Sequence, residues 1–134
     1  MKIKHRGQPY PSNLCGQACV AMLLNISIDK AVELIQKRGS TQTKDISSVL
    51  NRNGFDCDSH LTRISKNRQR PELCILKLTL DGRHSGHWVL WNGETKMYHD
   101  PTFNIPIPEN MYNRWLRTRS DNLRITSFLE IRST

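Results

Sequence analysis

Apolar residues crowd one short stretch near the N-terminus, and their period then changes twice along the chain. Cys15-Gly-Gln-Ala-Cys-Val-Ala-Met-Leu-Leu is apolar on nearly every side and holds small residues at Gly16, Ala18 and Ala21, which predicts a short buried helix over 15–25. Gly7, Pro9 and Pro11 oppose a helix, so residues 1–14 are expected to be extended. Ile28, Ala31, Val32, Leu34 and Ile35 follow helical spacing and predict a second helix over 28–38, capped by Ser27 and ended by Gly39. Thr43 is the expected cap of a third helix. Asp45 lies in its first turn, Ile46, Val49 and Leu50 form its buried stripe, and Gly54 ends it.

Beyond residue 70 the period shortens to two. Residues 72–80 predict a strand with Cys74, Leu76, Leu78 and Leu80 on one face. Residues 87–91 and 96–100 predict a hairpin turning through Asn92-Gly93. A short helix over 108–117 and a last strand over 123–132 follow. Helices first and mostly strands afterwards define an α+β class, a helical layer on an antiparallel sheet, and 134 residues fit one domain, 1–134.

Composition narrows this only modestly. The hydrophobic fraction of 37% and the charged fraction of 24% exclude a disordered chain, and no apolar run reaches the roughly 20 residues of a membrane span. The basic N-terminus is not followed by an apolar signal region, so the cytoplasm is the expected location. Cys15, Cys19, Cys57 and Cys74 are then expected to be reduced thiols. The formal charge of +8 favours an acidic partner. Its densest stretches, Arg63, Lys66, Arg68, Arg70 and then Arg114, Arg117, Arg119, Arg124, lack interleaved aromatics, which argues for solvated faces over a nucleic-acid surface. No cofactor motif is present, and no paired close-spacing ligand motif supports a zinc site.

One arrangement carries chemistry. A cysteine at a helix start has a lowered thiol pKa, because free N–H groups and the helix dipole favour thiolate. Cys15 stands there, with Gly16 leaving the backbone uncluttered, whereas Cys19 lies a turn deeper and is expected in the core, as are Cys57 and Cys74. Of His5, His60, His84, His87 and His99, His87 is set apart by Gly86 before it and the apolar strand after it. Two hairpin registers are open. A two-residue turn sets His87 against Tyr98 with Asp100 diagonal to it, and a four-residue loop over 92–95 sets it directly against Asp100. Both place His87 and Asp100 on one face. His99 is expected to be an exposed strand residue, and Trp88 and Trp91 core and wall residues.

Cys15-Gly-Gln-Ala-Cys-Val-Ala-Met, Gly86-His-Trp-Val-Leu and Asp100-Pro together resemble the bacteriocin-processing leader peptidases, the double-glycine peptidases of the papain-like group. The resemblance implies a papain-like fold in which a buried central helix carries the nucleophile Cys15. It also implies His87 as general base, Asp100 as the group that orients it, and an oxyanion-hole glutamine, matched by Gln8 seven residues before Cys15. Gln17 is a rival donor, disfavoured because it lies past the nucleophile inside the helix. Leu14 stands where that family carries an acidic residue. The expected activity is cleavage of a peptide or related amide bond through a thioester. Deamidation or acyl transfer on a protein, and a non-catalytic basic binding module, are the alternatives.

Overall fold

The computed structural model describes residues 1–80 and 86–134. Among them are four helices: α1 (Cys15–Leu24), α2 (Ile28–Ile35), α3 (Thr43–Arg52) and α4 (Glu109–Thr118). The strands are β1 (Phe55–Asp56), β2 (Thr62–Arg63), β3 (Leu73–Leu80), β4 (Gly86–Asn92), β5 (Met97–His99), β6 (Ile107–Pro108), β7 (Leu123–Glu130) and β8 (Arg132–Ser133). Six of them form an antiparallel sheet ordered β2-β7-β3-β4-β5-β6, and β1 pairs with β8 beside it. The α+β class is as expected. No described helix is long and apolar enough to cross a membrane.

β3 is central, and both of its faces are covered, which alternation on one face does not anticipate. Ile75 packs with Trp88, Leu90, Leu129 and the apolar residues of α1, α2 and α3. Cys74, Leu76 and Leu78 pack with Val89, Trp91, Tyr98, Phe128 and Tyr112 of α4. Helices therefore lie on both sides of the sheet, not in one layer. α1 is buried from Gly16 to Leu23 because α2, α3 and β4 surround it.

The boundaries differ where side chains intervene. α2 ends at Ile35, not near Gly39: Gln36 turns left-handed at φ 61°, and its N–H bonds the Val32 carbonyl at 2.7 Å. The unwound chain that follows offers the carbonyls of Lys37 and Gly39 to the buried Gln17 amide, at 2.9 and 2.8 Å. The cap of α3 is Gln42, not Thr43. Its side chain accepts from the Asp45 N–H, while the Asp45 carboxylate accepts from the Gln42 N–H at 2.8 Å. The last predicted strand breaks at Ile131, whose N–H bonds the Leu73 carbonyl, and resumes as β8.

The hairpin takes neither anticipated register. Trp91 pairs with Tyr98 and Asn92 with Met97, so the loop is 93–96, closed by Lys96 at φ 57°. The Asn92 side chain drives this by accepting from the Glu94 N–H at 3.2 Å. The observed register differs from the two anticipated ones by two and by four residues, both even steps, so the face shared by His87 and Asp100 survives.

The basic stretch before Pro71 is only partly a solvated face. Arg70 stacks on Trp91, 3.8 Å from its ring centroid, donates to Tyr98 and pairs with Glu109.

Candidate functional site

Cys15 is the first residue of α1. Leu14, at the cap position, is buried and offers no side-chain acceptor, and no acidic residue lies in the first turn. The first N–H groups of the helix and its dipole therefore remain free to favour an anion. Burial opposes thiolate most strongly, but the hydrogen bond and charge of His87 and the backbone N–H groups of Trp88 and Gly16 outweigh it, and the thiol falls below its ordinary value of 9.0.

His87 opens β4. By alternation it lies on the same face as Val89 and Trp91, towards α4, and it reaches Cys15 around the end of the strand. Its Nε2 lies 2.6 Å from Asp100 Oδ1, which leaves Nδ1 for the sulfur. Burial pulls its pKa down, yet the hydrogen bonds and charges of Asp100 and Cys15 prevail and raise it to about 10.

Asp100 is fully buried. Its Oδ1 accepts from the Thr102 N–H at 2.9 Å, and its Oδ2 from the Tyr112 hydroxyl at 2.7 Å. Burial favours the neutral acid, but His87, Tyr112 and Thr102 together hold the carboxyl below its ordinary value. Thr102 Oγ1 also lies 3.2 Å from His87 Nε2. The β4–β5 ladder ends at Leu90 and His99, and the turn beyond it carries Thr102 onto His87 beside Asp100. Thr102 and Tyr112 escape a reading of sequence spacing. The Asp-Pro-Thr turn was the available signal for the first, since an Asp side chain commonly accepts from the N–H two residues on.

The other expected residues divide. Gln8 is tied to the site by its backbone, its N–H bonding the Pro101 carbonyl at 2.8 Å, and its Oε1 is buried without a partner among the described residues. Gln17 is fully buried, and its amide donors are spent on Lys37 and Gly39, so it is a clamp between helices and not a rival donor. Cys19, Cys57 and Cys74 are buried, and burial pushes each thiol up, to about 11 for Cys57 and about 12 for Cys74. All four cysteines are free.

His99 is not exposed. It is 3% accessible, stacks on His5 at 5.3 Å between centroids, and is held down to about 4 by burial and the nearby His5. The N-terminal segment covers it, a tertiary contact that strand alternation cannot foresee. His60 is exposed, and His84 lies outside the described residues.

Two depressions flank the dyad. One, of about 180 Å³, is lined by Cys15, Asn13, Thr41, Lys77 and Trp88. The other, of about 340 Å³, is lined by His87, Thr102, Trp115, Arg119 and Leu123. A thiolate, an imidazolium and a buried carboxylate in line can attack a carbonyl carbon and return a proton to its leaving group. No family model and no curated protein sequence matches the chain.

Proposed function

We propose that the chain is a papain-like cysteine hydrolase, of the kind seen in double-glycine leader peptidases, acting on a peptide or related amide bond. One observation carries this reading: a single imidazole bonds the thiol at the start of a buried helix on one side and a fully buried carboxylate on the other. A structural cysteine needs neither partner. In the proposed reaction the Cys15 sulfur attacks the carbonyl carbon. His87 passes its Nδ1 proton to the leaving nitrogen as the C–N bond breaks and a thioester forms. Water then attacks the thioester, giving a proton back to His87, and the acid departs as the thiol is restored. Asp100 fixes the ring and stays ionised throughout.

The test is competition among the four thiols. Limiting iodoacetamide at neutral pH, read by intact mass and peptide mapping, is expected to label Cys15 before Cys19, Cys57 and Cys74. Labelling of Cys15 no faster than the buried three would remove the nucleophile and leave the binding-module reading.

Gln8 is assigned to the oxyanion. Its backbone anchor holds it beside the strand end that carries Asp100, and a glutamine amide there can donate as charge grows on the carbonyl oxygen. Gln8→Ala is expected to lower turnover by about 10²–10³. Cys15 alkylation should persist, because the thiolate–imidazolium pair does not use Gln8. Loss of both together would make Gln8 structural.

A further inference from the structure

We infer that Lys77 selects substrates whose acyl portion carries a carboxylate close to the scissile bond. The inference rests on the hydrolase reading above and names its substrate class.

Lys77 is an odd residue for its place. It sits in the central strand between Leu76 and Leu78, both fully buried, opposite Trp88 across the β3–β4 ladder. Its side chain runs past Gly86, where a Cβ would come within 2.9 Å of Lys77 Cε, and its Nζ lies 4.1 Å from the centroid of the Trp88 ring. The strand register with β7 shifts between Lys77 and Leu78, a bulge of the kind that re-aims a side chain next to a functional site. Lys77 thus lines the same depression as Cys15, with its ammonium over the Trp88 ring. Among the described residues no carboxylate pairs with it. Burial lowers its pKa, opposed only by the charge of Cys15. A half-buried cation that faces the Cys15 sulfur but has no carboxylate partner among the described residues, set against an aromatic face at the edge of the hollow beside the thiol, is placed to receive an anion.

Chemistry decides which part of the substrate that anion belongs to. His87 must protonate the leaving nitrogen, so the leaving group lies in the depression that His87 lines. The acyl group then occupies the other side, with Lys77.

Two alkylating reagents isolate the effect. Iodoacetate and iodoacetamide both lose iodide to the attacking thiolate, but only the first brings a carboxylate. The readout is the ratio of their rates at Cys15, iodoacetate over iodoacetamide. Lys77→Met is expected to lower that ratio by at least about fivefold, and ~1 M salt to lower it in the unaltered protein. Lys77→Arg, which keeps the charge, should hold the ratio near its original value and guards against a packing defect in the Met variant. An unchanged ratio in Lys77→Met overturns the inference. So does an equal loss of both rates, which would make Lys77 a support for the thiolate instead. If iodoacetamide fails to prefer Cys15 in the unaltered protein, the hydrolase reading itself falls, and that result is visible before any variant is made.

Discussion

His87→Ala is expected to slow iodoacetamide labelling of Cys15 at pH 7 by up to about 10²-fold and to abolish turnover. The direction follows from the balance of forces on the thiol. Burial is the largest influence and raises its pKa, and His87 provides the main opposing hydrogen bond and charge. Without the imidazole, burial dominates and the thiol returns to or passes its ordinary value of 9.0. A thiol titrating there is only about 1% thiolate at pH 7, which sets the size of the loss. The pH profile separates the pair further. In the unaltered protein the labelling rate should climb below pH 9 as the thiolate forms, and shift again near pH 10, where His87 gives up its proton. In His87→Ala a single rise at or above pH 9 should remain. A labelling profile that His87→Ala leaves unmoved would show that the two groups do not share a proton.

Gly86→Ala is expected to be the most destabilising single-methyl addition near the site. A Cβ at Gly86 would lie 2.1 Å from the Leu78 carbonyl oxygen and 3.2 Å from its carbon, which are backbone atoms of the adjacent strand. They cannot rotate away, so β3 and β4 must separate where His87 begins. Overpacking of this kind costs roughly 1–3 kcal/mol, about 4 °C of melting temperature for each kcal/mol in a domain of this size. Gly39→Ala is a useful contrast. Its added methyl would meet nothing nearer than Asn13 at 3.6 Å, though its φ of +124° still strains a side chain. Thermal melts of the two variants, followed by circular dichroism, give the comparison. A Gly86→Ala melt equal to that of the unaltered protein would mean that the strand spacing yields without cost.

Much of the arrangement is legible in the sequence itself. The helical spacing of α2, α3 and α4, and the alternation of β3 and β4, come from local periodicity, which the backbone must obey wherever the segment is placed. Cys15 and His87 stand out because a glycine beside each marks a close backbone approach. At Gly16 a Cβ would fall 2.0 Å from Thr41 Oγ1 and displace that side chain, and Gly86 abuts the Leu78 backbone. The shared face of His87 and Asp100 was legible because any even slip of a hairpin preserves it.

What the sequence determined by itself is therefore the set of local elements, the glycine-marked starts of α1 and β4, and the parity that puts His87 and Asp100 on one side. Tertiary structure alone decided the rest. It chose the turn that carries Thr102 onto His87, and it brought Tyr112 of α4 onto Asp100. It turned Gln17 into a clamp, covered His99 with His5, drew Arg70 onto Trp91, and bent Lys77 past Gly86 into the hollow beside Cys15. Each of these pairs residues far apart in the chain. Periodicity reports which face a side chain takes, but the partner it meets there depends on how sheets and helices stack, and no local spacing encodes that.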